Sequence, residues 1–338
     1  MLKLKYLFEN KDLAHMLLSN WEYDIEDPKF LEYYRISANA VYWCKNQGDT
    51  FFLRFVSAEE KSKESILAEL GFLRFLRNNG YPAVDTILSK AGNELETVTT
   101  PWGTYFAVAF KAASGKQISR IPLTDNIIFG LGKSLGELHK LSSEYNPVTN
   151  LRNDWKETMD WMEDVLSNFP DEVATKSELS ILKEYFLKLP TTKENFGLIH
   201  YDFEPDNVFY DETLKTYNPI DFDDAVYHWY AMDIEQSLDS IKDDMPEEQV
   251  EPATNQFIKG YRSAYDISDH MLTLLPIFRR YANLYGYVRV LRSINEKWNN
   301  EPKWMVDLRT RLENSLNRRK WGTSIDLCKS NLWMFFYV

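Results

Sequence analysis

Residues 200–224 read HYDFEPDNVFYDETLKTYNPIDFDD, and this stretch decides the interpretation of the whole chain. Two of its carboxylates, Asp202 and Asp221, and one carboxamide, Asn207, each lie next to a short apolar segment of strand-like composition. Carboxylate and carbonyl oxygens suit Mg²⁺, which keeps several water ligands and bridges to substrate phosphates. If a hydroxyl nucleophile must also be oriented, Asp202 serves better as a catalytic base than as another metal ligand. The stretch therefore predicts a site for a metal–nucleotide complex.

The sequence before this stretch changes from strand-like to helical patterns. Residues 33–56 are dense in β-branched and aromatic residues and are interrupted at 46–49, which predicts two strands joined by a hairpin turn. A capping-box pattern at Ser57 and Glu60 predicts the start of a helix that stops at 78–80. Two further strand candidates follow, at 95–100 and 104–110.

Helical periodicity dominates the chain after residue 115, apart from the short apolar segments within 197–222. The stretches that carry it are 128–138, 153–188, 246–266 and 271–296. The sequence therefore predicts an α+β protein in which a small β-rich lobe, residues 1–110, precedes a large, mainly helical lobe, residues 111–338.

Composition excludes several classes of protein. Of the 338 residues 44% are hydrophobic, enough for a large core, and the net charge of −12 disfavours binding to nucleic acid or anionic lipid. Only two cysteines occur, and no stretch reaches the roughly 18 apolar residues of a membrane span. We expect a cytoplasmic monomer or homodimer. The apolar residues 331–338 are expected to dock on the body of the protein or on a partner, with a frayed tail as the alternative.

Two motifs within the central stretch carry a resemblance to a known family. HYDFEPDN at 200–207 followed by IDFD at 220–223 resembles the catalytic and metal-binding loops of the aminoglycoside phosphotransferase and choline kinase-like family, relatives of protein kinases. LGKSLGELHKL at 131–141 is similar to the helix that this family places after the nucleotide hinge. The resemblance implies a protein-kinase-like fold of two lobes with ATP bound between them.

The resemblance also implies roles for individual residues. Asp202 is similar to the aspartate that orients the acceptor hydroxyl, and Asn207 and Asp221 are similar to the magnesium ligands of the family. Arg54 stands where the family has a strand lysine that holds the α- and β-phosphates, and Glu69 would be its ion-pair partner. The arginine is a departure, because its planar fork binds phosphate with a different geometry from a compact ammonium group.

A second departure is the absence of a glycine-rich loop over the phosphates. Gly48 is the only glycine in the first 70 residues, and the equivalent stretch is 35–42. We expect backbone amides there, together with Ser37 and Asn39, to donate to phosphate. The hinge that binds adenine through its backbone is expected near residues 108–111, which include Val108 and Phe110.

These observations predict an ATP-dependent phosphotransferase that moves the γ-phosphate to a hydroxyl of a small molecule such as an aminoglycoside, an amino alcohol or choline. Carboxylates near the predicted catalytic loop would favour a cationic acceptor; they are Glu204, Asp206, Asp223 and Asp224. For Asp223 and Asp224, a solvated acidic turn is an equal alternative. Aromatic residues in 227–230 and 278–305 fit core packing, but four are candidates for contact with a cation: Tyr227, Trp229, Tyr285 and Trp298.

Two other functions stay open. A non-catalytic, kinase-like nucleotide-binding protein is favoured by the missing glycine-rich loop and by Arg54. A protein Ser/Thr kinase would use the same loops on a polypeptide. Within the motifs, we expect His200 to pack or hydrogen-bond the catalytic loop, and Asp233 to accept hydrogen bonds from backbone amides at a helix start.

Overall fold

The first half of the chain is built around an antiparallel sheet. The computed structural model describes residues 2–6, 8–27, 29–149, 151–243 and 245–321. The elements up to residue 111 are α1 (Lys11–Leu18), β1 (Leu31–Ile36), β2 (Ala40–Asn46), β3 (Asp49–Ser57), α2 (Lys63–Asn78), β4 (Thr86–Ile87), β5 (Glu96–Thr100) and β6 (Gly103–Lys111). The strands form one sheet in the order β1-β2-β3-β6-β4, and β5 also pairs with β6.

Several details of this region differ from the sequence-based expectation. Residues 33–56 hold three strands instead of two, because the chain also turns at 37–39, where no glycine or proline signals a turn. The helix starts at Lys63 and not near Ser57, because the side chain of Ser62 accepts a hydrogen bond from the Ser65 amide and caps it. The helix α1 was not predicted at all. The helix end at Asn78 agrees with the predicted stop.

The second part of the chain is mainly helical. Its elements are β7 (Lys116–Gln117), α3 (Asp125–Ser142), α4 (Trp155–Ser167), α5 (Val173–Lys188), β8 (Phe196–Ile199), β9 (Val208–Asp211), β10 (Thr216–Pro219), β11 (Val226–Trp229), α6 (Tyr230–Asp243), α7 (Glu247–Arg262), α8 (Asp269–Thr273), α9 (Leu275–Ile294) and α10 (Lys303–Trp321). The short strands form two small sheets, β10-β9-β7 and β11-β8, which frame the central stretch. The predicted α+β architecture is confirmed, although the helical stretch 153–188 is broken into two helices.

Glycines allow two long helices, α3 and α7, to pack closely. A Cβ atom on Gly260 of α7 would collide with the backbone carbonyl of Phe129, and one on Gly132 of α3 would collide with the carbonyl of Phe257. The helix backbones therefore touch directly, and this contact fixes α3 in place. The helix α3 in turn carries His139, which supports the loop described below.

An aromatic cluster fills the space between α5, β11 and α9. The rings of Phe186, Trp229 and Phe278 pack with centroids 5.1 to 6.2 Å apart, and His228 lies among them, fully buried. Burial lowers the pKa of His228 to about 3, while its Nδ1 accepts a hydrogen bond from the Trp229 amide. The imidazole is therefore a neutral part of the core.

The division of the chain into two lobes at residues 110 and 111 stays a prediction, and the large sheet ends at Lys111. The apolar stretch 331–338 lies outside the residues that the structure describes. Within the described residues, no helix combines the length and the apolar character needed to cross a bilayer.

Candidate active site

The loop after β8 holds the predicted base and a predicted metal ligand side by side. The Asn207 side-chain amide donates to Asp202 twice, to the carboxylate Oδ2 at 2.7 Å and to the backbone carbonyl at 3.1 Å. Asp202 is only 8% exposed. Burial, followed by repulsion from the Asp206 carboxylate, raises the pKa of Asp202 above its usual range. The loop therefore presents a carboxyl group that is a stronger base than an exposed aspartate.

A buried carboxylate on α6, Asp233, binds the backbone of this loop. Asp233 accepts hydrogen bonds from the backbone amides of His200 at 2.8 Å and Tyr201 at 2.6 Å, and it also contacts Nε2 of His139 at 3.1 Å. Tyr201 has the left-handed conformation, with φ of 70°, which a bulky residue adopts only where its surroundings enforce it. Asp233 is buried and accepts from backbone amides, as predicted, but the amides belong to the loop after β8 and not to the start of its own helix.

His200 connects the loop to the second motif. Its Nε2 lies 2.9 Å from the carbonyl oxygen of Ile220, and its Nδ1 accepts a hydrogen bond from the Asp202 amide. These two contacts require the neutral tautomer that carries its proton on Nε2. Burial lowers the pKa of His200, which agrees with a neutral ring. His200 therefore joins the two loops and hydrogen-bonds within them, as predicted.

Asp221 is the residue after Ile220, and it faces the cleft between the sheet and the helices. It also has a left-handed backbone, with φ of 62°, and its side chain is 40% exposed. Loss of solvent around the carboxyl group raises the pKa of Asp221 to about 6, and the neighbouring Asp223 carboxylate adds to this shift. The Ile220 amide donates to the Asn207 carbonyl at 2.9 Å, so the two loops that carry Asn207 and Asp221 are joined.

The two aspartates that follow in the second motif, Asp223 and Asp224, form ion pairs with basic side chains. Asp223 pairs with Lys61, and Asp224 pairs with Arg289 of α9 at 2.8 Å. Asp223 is 6% exposed, so the alternative of a solvated acidic turn is wrong for it. Arg152 adds hydrogen bonds to the carbonyls of Asp223 and Ala225, both at 2.6 Å. Lys61, Arg152 and Arg289 fix the shape of the loop after Asp221.

The sheet contributes an arginine to the same cleft. Arg54 of β3 makes two parallel hydrogen bonds to Glu69 of α2, at 2.8 and 2.6 Å, and its guanidinium lies 4.8 Å from the centre of the Phe110 ring. Its NH1 is 3.8 Å from the Asp221 carboxylate. The predicted Arg54–Glu69 pair thus lies directly opposite Asp221. Glu69 is 1% exposed, so both charges are largely removed from water.

A cavity of about 320 Å³ lies between the sheet and the loops that carry Asn207 and Asp221. Its charged and polar lining includes Arg35, Arg54, Asn207 and Asp221, and its apolar lining includes Val41, Phe52, Phe110 and Phe209. Three residues that we expected to contact the nucleotide are not among those that line it: Ser37, Asn39 and Val108. Val108 is buried within β6, opposite Arg54. The roles of Ser37, Asn39 and Val108 in nucleotide binding stay predictions.

The donor set fits a magnesium ion. Because the Asn207 amide nitrogen is used on Asp202, its Oδ1 is left as the acceptor that a metal requires. In the described part of the chain no group of three or more His, Cys, Asp or Glu side chains is placed to bind a metal. Mg²⁺ in proteins is usually bound by one or two protein ligands together with phosphate oxygens and water, and seldom by protein ligands alone. Asn207 and Asp221 fit this pattern.

Two of the four aromatic candidates for a cation site, Trp229 and Tyr285, pack against other parts of the protein. Trp229 is fully buried in the aromatic cluster, and Trp298 is 48% exposed after α9. Tyr285 packs its edge against the ring of Tyr201, with centroids 5.4 Å apart, and lies near the guanidinium of Arg289. The interpretation as core and interhelix packing therefore accounts for Trp229 and Tyr285.

The comparisons with known proteins agree with this geometry. The model of the phosphotransferase enzyme family matches residues 35–268, more than half of the chain. Amicoumacin kinase of Bacillus subtilis (strain 168) is 23% identical over 325 residues, which cover 92% of this chain and 94% of that protein.

Solved structures show the same fold. Amicoumacin kinase hAmiN, solved in complex with AMP-PNP, Ca²⁺ and Ami, matches with a TM-score of 0.75 at 19% identity, covering 94% of this chain and 95% of its own. The microcompartment-associated aminopropanol kinase matches with a TM-score of 0.69 at 20% identity, covering 92% and 98%. The predicted protein-kinase-like fold is confirmed. The chain belongs to the phosphotransferase enzyme family, and the predicted phosphotransferase activity toward small molecules is confirmed at the level of that family.

Proposed function

We propose that Asp202 is the catalytic base of an ATP-dependent kinase that phosphorylates a hydroxyl group of a small molecule bearing an amine. The convergence of Asp202, Asn207 and Asp221 opposite the Arg54–Glu69 pair carries this proposal. Asp202 accepts the hydroxyl proton and orients the acceptor oxygen toward the γ-phosphorus. A base with a raised pKa is well matched to this proton transfer.

Asn207 and Asp221 are the proposed ligands of the magnesium ion that accompanies ATP. The ion supplies positive charge to the phosphate oxygens when it is bound. Arg54 faces Asp221 across the cleft, and Glu69 holds its guanidinium in one orientation. This arrangement fixes a cation beside the phosphates before the nucleotide enters, which favours catalysis by positioning and electrostatics.

The carboxylates around Asp202 support an acceptor that carries an amine. Burial, followed by the charges of Asp202 and Asp206, raises the pKa of Glu204. On α6, Glu235 and Asp239 both pair with the same guanidinium, that of Arg279, and burial raises the pKa of both carboxyl groups. A positively charged acceptor relieves this concentration of negative charge. The names of amicoumacin kinase and aminopropanol kinase among the similar proteins support the same class, since aminopropanol is an amino alcohol.

The catalytic assignment is tested with Asp202→Ala. We expect the variant to lose phosphate transfer from labelled ATP while its affinity for Mg²⁺ and AMP-PNP stays within about threefold of the wild type. Asp171→Ala, which changes an exposed aspartate between α4 and α5, is the control and should keep full activity. Transfer by a folded Asp202→Ala protein at the wild-type rate would contradict the assignment. Nucleotide binding by the wild type, without transfer to any acceptor, would instead favour the non-catalytic alternative.

The acceptor class is tested with a matched pair of substrates. 1-Amino-2-propanol and 1,2-propanediol offer the same secondary hydroxyl and differ in one amine. We expect ATP consumption to be faster with the amino alcohol, because only this acceptor brings a positive charge to the carboxylates. Equal rates, or a preference for the neutral diol, would overturn the proposed acceptor class and leave the phosphotransferase activity standing.

A cytoplasmic location, where ATP is available, is part of this proposal. Cys44 is a free, buried thiol, which is compatible with a reducing compartment.

A further inference from the structure

The strand β1 places a second arginine of the sheet, Arg35, in the lining of the cavity. Arg35 is the last residue but one of β1, and it lines the cavity together with Arg54, Asn207 and Asp221. It lies at the start of the stretch that replaces the glycine-rich loop of related kinases.

An irregularity in the strand turns Arg35 toward the cleft. Tyr33 lies opposite Tyr42 and Arg35 lies opposite Val41, so Tyr34 is an extra residue in β1. Val41 in turn lies opposite Arg54. Because cross-strand partners share a face of the sheet, Arg35, Val41 and Arg54 form one row that faces the cavity. If β1 paired regularly, without this bulge, Tyr34 would lie opposite Val41 and Arg35 would point to the opposite face of the sheet.

The position of Arg35 complements the other charges of the site. Its positive charge lowers the pKa of both Asp202 and Asp221, although burial outweighs this effect in each case. Both terminal nitrogens of Arg54 bind Glu69. Arg35 lines the same cavity as Asn207 and Asp221, so it is placed to contact the phosphates of a nucleotide bound there.

We propose that Arg35 is a catalytic residue that donates hydrogen bonds to the non-bridging oxygens of the γ-phosphoryl group during transfer. This inference rests on the proposed function. In the step, the acceptor oxygen bonds to the γ-phosphorus and its proton passes to Asp202. The bond between the γ-phosphorus and the bridging oxygen breaks, and its electron pair leaves with ADP. Arg35 forms and breaks no covalent bond, and its charge neutralises the phosphoryl oxygens, where kinases with a glycine-rich loop use backbone amides.

The test compares Arg35→Ala, Arg35→Lys and a control, Arg74→Ala. Arg74 lies on α2 in the same half of the chain, has a side chain that is 56% exposed and pairs with Glu94 outside the cavity. Three quantities are measured with Mg²⁺ present: kcat for transfer, the dissociation constant of AMP-PNP and that of ADP. The comparison of the two nucleotides isolates the γ-phosphate, because ADP lacks it.

We expect Arg35→Ala to lower kcat by about 10³-fold, in the range known for arginines that stabilise phosphoryl transfer. Affinity for AMP-PNP should fall about tenfold, and affinity for ADP should stay within twofold. Arg35→Lys should recover part of kcat because it keeps the charge but loses the planar fork, and Arg74→Ala should match the wild type.

A kcat for Arg35→Ala within threefold of the wild type would overturn the proposal, as would an equal loss of affinity for AMP-PNP and ADP. If Arg35→Ala does not fold, the Arg35→Lys variant tests the proposal instead. A wild-type kcat and a wild-type affinity for AMP-PNP in Arg35→Lys would show that the guanidinium fork has no role, and would also overturn the proposal. If the wild type transfers phosphate to no acceptor, the proposed function fails, yet the ratio of the two affinities still decides whether Arg35 contacts the γ-phosphate.

Discussion

Replacing Glu69 by glutamine removes the negative charge that balances Arg54 without changing the size of the side chain. The pair is bidentate, at 2.8 and 2.6 Å, and the two residues are 8% and 1% exposed. Removing one partner of a buried ion pair costs about 3–5 kcal/mol, because the other charge is left without compensation. Asp221 at 3.8 Å remains as a partial partner, so we expect the lower end, about 3 kcal/mol. At about 2 °C per kcal/mol for a chain of this size, the melting temperature should fall by about 6 °C.

The same substitution should weaken nucleotide binding. Without Glu69, Arg54 is drawn toward Asp221, which then pairs with arginine instead of magnesium. We expect the affinity for AMP-PNP with Mg²⁺ to fall at least tenfold, measured by calorimetric titration. Urea unfolding and thermal melting of the free protein give the stability change independently.

The chain offers a matched control in Glu178→Gln. Glu178 also binds an arginine, Arg280, through two hydrogen bonds at 2.7 and 2.8 Å, but the two side chains are 25% and 39% exposed. Exposed ion pairs contribute about 0–1 kcal/mol, so this variant should lose little stability and no nucleotide affinity. If Glu69→Gln and Glu178→Gln lose the same stability, burial does not strengthen the Arg54–Glu69 pair and the reasoning fails.

Three further substitutions test the supporting structure. Asp233→Asn keeps only one acceptor oxygen for the two loop amides, so stability should fall by about 1–3 kcal/mol and the Tyr201 amide should exchange faster with deuterated solvent; unchanged exchange would contradict this role. Gly260→Ala should lower the melting temperature by separating α3 from α7, whereas Gly71→Ala, whose new Cβ meets only a tyrosine hydroxyl at 3.4 Å, should be tolerated; equal melting temperatures would refute the close crossing. His228 is neutral in the folded protein, with a pKa of about 3, and gains a proton on unfolding below pH about 6.5. The wild type should therefore lose about 2–3 kcal/mol from this group between pH 7 and 4.5, and His228→Phe should show a shallower loss in urea titrations; parallel pH curves would contradict it.

The chemistry of the site was predictable because its residues are close in sequence. Asp202, Asn207 and Asp221 fall within two short loops, and the apolar segments beside them form the strands that hold them. Local patterns also predicted the end of α2, since capping and turn formation depend on neighbouring residues. They placed the partners of Asp233 at a helix start, whereas the His200 amide that it binds is 33 positions away.

The remaining features depend on long-range contacts that sequence patterns do not encode. Arg152 bonds to the Ser65 carbonyl, 87 positions away, and the pairing of Lys61 with Asp223 likewise joins distant parts of the chain. The turn at 37–39 was missed because it contains no glycine or proline. The direction of Arg35 depends on the pairing register of β1, which only the folded sheet defines.

A crystal structure of the protein with AMP-PNP and Mg²⁺ tests the central claim most directly. We predict a magnesium ion bound by Oδ1 of Asn207 and the carboxylate of Asp221, with the terminal phosphate facing Asp202. A nucleotide whose phosphates lie away from these three side chains, or a metal ion held by other residues, would contradict the account.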